Sequence, residues 1–431
     1  MNKLEDKIWD VVVVGGGASG MMAAGRAAEC GAKVLLLEKN ESLGKKLLIT
    51  GGGRCNITNN EPDVRKFLSK FKDSDKFLFS AFSQFAVKES LDFFHNFKME
   101  TKEEALGRVF PLSNSAKSVW DTLLQYLKQG KVTVQSKAEV VGLQPLKASS
   151  GRMTKTRDNK ITSAILKNKT ELRAKSFILA TGGKSRPETG STGDGFKWLK
   201  EIGHNITEPA ASLVPIKIKE EWVKKLQGVG VTNVKLTVLQ NDEKQSVKKG
   251  KILFTHFGLS GPTVLNLSNE IGELLKYGEV LISLDILPNF DHGQLNQKLQ
   301  DIFKEKTNKK FKNTLDSLMP SALVPIIVEL SKIDGDKQSN SITREERLQL
   351  IEVLKNIKIE VDSLLGVEKA ITTSGGVSLD EVDFKTMQSR LFPNLYLVGD
   401  ILNIDRPSGG YSLQLCWTTG FVAGSNAGQV K

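Results

Sequence analysis

The sequence predicts an α/β fold: a domain on a parallel sheet, split into two segments by an inserted region of antiparallel β-sheet or barrel and a helical subdomain. Three observations carry this. Near the start, two β-branched apolar runs, "WDVVVV" and "KVLLLEK", flank a glycine-rich turn and a small-residue helix. Two more runs of the same buried kind, "KSFILA" and "NLYLV", lie far apart in the chain. Between them, from about Pro209, "VTNVKLTVLQ", "KGKILFTHF" and "GEVLISLDILP" alternate with period two, and residues 293–357 turn to helical spacing. The expected segments are 1–207 and 370–431 for the parallel-sheet domain, 208–292 for the inserted β part and 293–369 for the helical part.

Taken in order, Trp9 to Val14 reads as a parallel strand buried on both faces. It runs into Gly15-Gly16-Gly17-Ala18-Ser19-Gly20 and then a helix that stops at Gly31, where a left-handed cap suits glycine. A second strand ends at Glu38. Strand, G-x-G-x-x-G, helix, strand and acid stand in the order that Rossmann-type dinucleotide binding requires. Gly15 allows the tight turn, Gly17 lets backbone approach a pyrophosphate, and Gly20 lets helix and strand pack closely. Amides of Ala18, Ser19 and Gly20 open the helix, with its positive dipole end toward phosphate. Glu38, about twenty residues on, can accept ribose hydroxyls and disfavours a 2′-phosphate. It does not separate NAD from FAD. Chance loop glycines are the alternative, and they would not carry this order.

Residues 60–130 show helical spacing, with Ser113 or Ser115 as a cap in "GRVFPLSNSA". Val132–Leu143 and Ile161–Leu172 alternate like strands of a meander, joined by the polar, exposed "KASSGRMTKTRDNK". "KSFILATGGKS" is a strand ending in Thr181-Gly182-Gly183, where glycines permit close approach to the first strand. In the insertion, Leu295, Leu299, Ile302 and Phe303 mark one apolar helix face, and Thr343 with Glu346 forms a capping box. "TTSGGVSLDEVD" returns the chain to the first domain. Leu395–Val398 is its last strand, ended by Gly399 and Asp400, and a helix follows Gly409-Gly410. Asp400 suits a sugar-alcohol chain. The helix start, Gly410, Tyr411, Ser412, Leu413 and Gln414, would aim a dipole at a developing anion.

Bulk numbers narrow the classes. At 431 residues the chain exceeds one core, and 39% hydrophobic with 26% charged residues is ordinary for a globular protein. Three cysteines and four histidines show neither a disulfide framework nor metal-ligand spacing, so no metal is expected. No apolar run approaches the roughly 18 residues of a membrane span, and charged Met1–Lys7 lacks the apolar core of a secretory signal. The expectation is a cytoplasmic protein without a membrane partner. The net charge of +12 raises nucleic acid as a partner. Stretches such as "VKKLQ" and "VKKGK" read instead as solvated faces, without interleaved aromatics. Nucleic acid is therefore not expected, and the oligomeric state is open.

The N-terminal fingerprint, "ATGG" strand and C-terminal "GD" together resemble the glutathione-reductase-type FAD fold. A simple NAD dehydrogenase has no reason for a distant glycine-aspartate site, so FAD is the expected cofactor. Val140 falls where a strand of the FAD fold that the chain resembles would pass the adenine. More closely, "VVVGGGASGMMAA", "GKKLLITGGGRCNITN", "RVFP", "ATGGKSRPETGSTGDG", "LFTHFGLSGPTVLNLS", "TSGGV" and "YLVGDILNIDRPSGGYSLQ" resemble the bacterial BaiN-like, or aminoacetone-oxidase-like, FAD-dependent oxidoreductases. Arg186 departs from the aromatic expected in "GGKSYP". The resemblance implies FAD and oxidoreductase activity but no single substrate. "QGVGVTN" carries Asn233 where a third glycine belongs, so NADH or NADPH would be a transient donor without its own Rossmann domain.

In folds of this class the segment after the ribose acid runs along the cofactor. That implies contacts from Lys39 through Lys45 and Thr50 to Gly52, Gly53, Arg54, Cys55 and Asn56. The glycines of "TGGGRCN" would approach the flavin edge, and Arg54 would balance negative charge there. Cys55 lacks a C-x-x-C partner and reads as a small packing residue rather than a redox thiol. His256, in "FTHFGLSGP", is a candidate acid or base; a structural histidine is the alternative. Ser260 has no Ser-His-Asp context. The expected function is hydride transfer between flavin N5 and a small organic substrate. The alternatives are a flavoprotein that modifies or binds tRNA, and a flavin-loaded redox sensor.

Overall fold

The structure, a computed structural model, describes residues 7–146 and 159–429. The opening residues 1–6 and most of the expected exposed loop, 147–158, lie outside them. The chain divides into two compact units, residues 1–212 with 370–431, and residues 213–369.

In the first unit, β1 (Trp9–Val14) lies between β2 (Val34–Leu37) and the long β6 (Glu171–Leu179), both parallel to it. β3 (Thr133–Gln135) extends the sheet beyond β2. β4 (Val140–Leu146) and β5 (Lys160–Leu166) form the antiparallel meander and join β6 at its start. Val11, Val12 and Val13 have no exposed surface, as an apolar run covered on both faces requires. Helix α1 (Ala18–Glu29) packs its alanines and methionines on this sheet.

The second unit is a closed six-stranded antiparallel barrel in the order β7-β10-β9-β8-β11-β12. Its strands are β7 (Ile216–Ile218), β8 (Gly230–Gln240), β9 (Glu243–Thr255), β10 (Gly258–Ser260), β11 (Leu281–Asp285) and β12 (Ile357–Leu364). Val234, Leu236, Ile252 and Ile282 alternate into its core. The expected division into β residues 208–292 and helical residues 293–369 differs from this. β12 follows the helices and closes the barrel against β7 and β11, so the helices are an excursion from the barrel. Helix Arg344–Lys355 starts with the Thr343–Glu346 capping box, its reciprocal bonds 3.2 and 2.8 Å long.

The chain returns to the first unit with Thr372–Val377, which pairs with Ile206–Ser212. The first unit thus runs beyond residue 207. β13 (Leu395–Leu397) then pairs with the end of β6, on the edge where β5 pairs with its start. Helix α2 (Tyr411–Ala427) packs against α1.

A buried histidine ties the two segments of this unit. His204 Nδ1 lies 2.8 Å from the Glu381 carboxylate, and its Nε2 lies 3.0 Å from Ser389 Oγ. With Nδ1 donating and Nε2 accepting, the ring is neutral, and burial holds its pKa below the usual 6.5. Between the folded and unfolded values the unfolded chain binds the extra proton. Stability therefore falls as pH drops below about 6.5, by up to about 1.4 kcal/mol per pH unit. Chemical denaturation of wild type and His204→Gln between pH 7 and 5.5 checks this. The variant should lose that part of the slope.

Candidate functional site

A cleft in the first unit holds about 1180 Å³ of space free of protein atoms, its open mouth included. The C-terminal ends of β1, β2 and β6 and the starts of α1 and α2 converge on it. The expected residues Gly15, Gly17, Ala18, Ser19, Glu38, Lys39, Lys45, Thr50, Val140, Thr181, Gly182, Asp400, Ser412 and Leu413 all line it.

The three fingerprint glycines separate by what surrounds them. A Cβ on Gly15 would lie 2.4 Å from the Ala180 carbonyl oxygen, and one on Gly20 would lie 1.8 Å from that of Gly15. Both therefore set how closely β1, β6 and α1 approach. A Cβ on Gly17 would meet nothing within 4 Å. Gly17 caps α1 without a side-chain hydrogen bond, so first-turn amides face open space.

Glu38 is buried and held by its neighbours. Its Oε2 accepts from the Gly16 amide at 2.8 Å; its Oε1 accepts from the Asn40 amide at 2.8 Å and from Asn40 Nδ2 at 2.7 Å. Of about four lone-pair positions on a carboxylate, about one remains for a sugar hydroxyl. Lys39 Nζ reaches Thr192 Oγ1 at 2.6 Å and Asp194 at 2.9 Å, clamping the 189–194 loop over the same end.

At the other end stands a charge cluster that sequence reasoning found only in part. Asp400 pairs with Arg406 on one oxygen and with Lys46 Nζ, 3.6 Å away, on the other. Lys46 also donates to Ser185 Oγ at 2.5 Å. Arg406 is buried and donates to Ser412 Oγ at 3.1 Å and the Ile404 carbonyl at 2.7 Å. The two cations hold the Asp400 carboxyl below its ordinary value against the opposing effect of burial, while burial draws the Lys46 ammonium down. The sequence signals were the second lysine of "GKKLL" and the arginine of "DRPSGG".

Several expected residues are not among those that line the cleft. Arg54 is not among the residues lining the cleft. Its guanidinium pairs with Glu104, reaches Asn114 Oδ1 at 2.6 Å and lies 4.2 Å over the Phe110 ring. Gly20, Gly52, Gly53, Cys55, Asn56, Gly183, Gly399, Gly410, Tyr411 and Gln414 are likewise not among the lining residues. Tyr411 packs on Phe67 at 4.8 Å. Gln414 is fully buried, accepting from Thr58 Oγ1 and donating to Ser90 Oγ, each at 2.7 Å. The helical period explains the last two: Tyr411 and Gln414, three residues apart, share the side that meets the core, while Ser412 and Leu413 face the cleft. Gly410 is required because a Cβ there would sit 2.3 Å from the Thr58 carbonyl. His256 is an exposed residue of the second unit, in the turn joining β9 and β10, its ring 4.8 Å from that of Phe257.

Burial pushes the Cys55 thiol up to about 12, and that of Cys416, which lines the cleft, to about 12 as well. At pH 8 roughly one thiol in ten thousand is thiolate at either position. Iodoacetamide at pH 8 should label neither until the protein is denatured, as peptide mass mapping would show.

The residues fit FAD. The Gly17 cradle is open where a pyrophosphate needs backbone contact, Glu38 retains an acceptor, and Thr181 Oγ1 is buried at the cleft without a hydrogen-bond partner. The start of α2, capped by Gly410 with no side-chain bond, offers a second set of free amides.

A family model described as the HI0933-like protein Rossmann domain matches residues 9–426. The chain is 30% identical over 420 residues to a 3-dehydro-bile acid delta(4,6)-reductase of Clostridium scindens, covering 97% of this chain and 98% of that one. It is 29% identical over 419 residues to a ribosomal RNA dihydrouridine synthase of Escherichia coli, covering 96% of each. Among solved structures it is similar in fold to a 3-ketosteroid delta1-dehydrogenase from Sterolibacterium denitrificans, with a TM-score of 0.56 and 14% identity over 98% of this chain and 100% of that one. A flavocytochrome c3 fumarate reductase gives a TM-score of 0.54 and 17% identity, over 98% of this chain and 78% of that one. With its fingerprint cradle intact and the match spanning nearly every residue, the chain belongs to the HI0933-like Rossmann family and is a BaiN-like FAD-dependent oxidoreductase.

Proposed function

We propose that the protein reduces a carbon–carbon double bond conjugated to a carbonyl, with NADH or NADPH as the source of electrons. The observation that carries this is a shared chemistry in two relatives' names. A delta(4,6)-reductase saturates double bonds, and dihydrouridine is uridine whose ring double bond, conjugated to a carbonyl, has gained two hydrogens. The reaction balances: NAD(P)H gives a hydride to one carbon, a solvent-derived proton reaches the other, and NAD(P)⁺ leaves. When bound, FAD supplies the relay for that hydride at N5.

The chain's own residues hold and bias the cofactor. The α1 amides at Gly17 to Ser19 take the pyrophosphate, and Glu38 takes a ribose hydroxyl. Asp400, kept ionised by Lys46 and Arg406, takes the ribityl chain. Arg406 also orients Ser412, placing the start of α2 and its partial positive charge at the pyrimidine edge, which favours the reduced, anionic cofactor. Val140 and the 189–194 loop enclose the adenine end. Arg54 ties down the hairpin of Thr101–Glu104 and Arg108–Pro111 through Glu104.

A second reading, uracil within RNA as the conjugated substrate, is favoured by two relatives named as ribosomal RNA dihydrouridine synthases and by the net charge of +12. Those names weigh against the expectation that nucleic acid is no partner. Purified protein should be yellow. Under anaerobic conditions NADH or NADPH should bleach it, and a conjugated enone or a uridine-containing RNA should restore the colour. Recovery by oxygen alone, with every conjugated acceptor inert, would overturn the proposal.

A further inference from the structure

We propose that the outward face of the β8–β9 hairpin, in the second unit, is a docking surface for the sugar–phosphate backbone of single-stranded RNA. The inference rests on the RNA reading above. Val234, Leu236 and Val238 are buried in the barrel, so Lys235, Thr237 and Leu239 point outward. The strand register sets Lys249 directly opposite Lys235 and Lys244 directly opposite Leu239. Lys251 follows on the same face of β9, one side-chain period beyond Lys249. Four ammonium groups thus share one face of two paired strands.

Nothing in the unit neutralises them. Lys217, Lys219 and Lys224 each have a carboxylate partner, whereas none of these four makes an ion pair among the described residues. Across the other neighbour, β11 sets Asp285 opposite Lys235, but Asp285 is buried and held by Lys355 Nζ at 2.6 Å. Of the hairpin's acids, Asp242 lies in its turn and Glu243 is the first residue of β9, opposite Gln240. Like charges directly opposite one another destabilise a sheet. Lysines on an open strand edge guard against aggregation, which would account for those on β9. It does not account for Lys235, because β8 is paired on both sides.

A basic ladder that tracks the sugar–phosphate backbone is the electrostatic part of single-strand binding.

The test uses the full FAD-loaded protein and a fluorescein-labelled, uridine-rich 20-mer RNA, read by anisotropy at several salt concentrations. Wild type should bind, with affinity falling steeply in salt. Lys235→Gln with Lys249→Gln should weaken binding at least tenfold at low salt and reduce the slope of log K against log salt by about 1.4, at about 0.7 per phosphate contact. Flavin absorbance and enone-driven reoxidation should match wild type, and the melting temperature should not fall. Wild-type binding that the substitutions leave intact would overturn the surface, and so would no binding at low salt. If the substitutions abolish binding but bound RNA never reoxidises the flavin, the surface stands and the uracil reading falls.

Discussion

Gly17→Asp is expected to fold, melt within a few degrees of wild type and emerge from purification without colour. A new side chain at Gly17 enters open space, and the backbone there, at φ −79° and ψ −171°, is an extended conformation that any residue adopts. Folding has nothing to resist. A carboxylate at that point would face the pyrophosphate, and like charges ~4 Å apart at an effective dielectric of 20 repel by about 4 kcal/mol, roughly a thousandfold in binding. Gly20→Ala is the contrasting control. Its Cβ would lie 1.8 Å from the Gly15 carbonyl oxygen, so α1 must move off β1 and the protein should fail to fold. FAD titration with thermal melts distinguishes the two. A Gly17→Asp protein that retains stoichiometric flavin would sink the assignment of this cradle.

Asp400→Asn should lower the melting temperature by roughly 10 °C as well as weaken FAD retention. The wild-type carboxylate serves two cations, Arg406 and Lys46, and the amide leaves both without a counter-charge. Breaking a buried pair in this way costs about 3–5 kcal/mol, and each kcal/mol lowers melting by about 2–4 °C in a domain of this size. The pH dependence carries a sign. Asp400 titrates below its ordinary 3.8 in the folded protein. Its contribution is complete above that unfolded value and is lost as pH falls through the lower, folded one. The variant should lack this acid limb. Lys46→Met keeps the Asp400–Arg406 pair and should destabilise less. Equal melting curves for wild type and Asp400→Asn would show that the cluster does not hold the cleft wall together.

The fingerprint was legible because its pattern is local. Turn, helix and two strands lie within thirty residues or so, and Gly20 answers a steric demand made by Gly15 inside that span, whereas the demand on Gly15 comes from distant Ala180. Glu38 was legible for the same reason, although its bonds to Gly16 and Asn40 leave it fewer free lone pairs than the motif suggests. "TGGGRCN" was legible only as a turn. Gly51 and Gly52 take left-handed conformations, and Thr50 reaches the cleft. The direction of Arg54 depends on Glu104 and Phe110, supplied by a hairpin whose approach no motif records.

The sequence by itself determined the parallel-sheet domain, its split by an insertion and the pyrophosphate cradle, because periodicity and glycine spacing are properties of short stretches. Tertiary structure alone decided which charges meet: Lys46 with Asp400 and Arg406 at the cleft, and Lys235 with Lys249 on the barrel. The physical reason is that Coulomb pairing depends on distance in space and on burial, and neither varies regularly with separation along the chain.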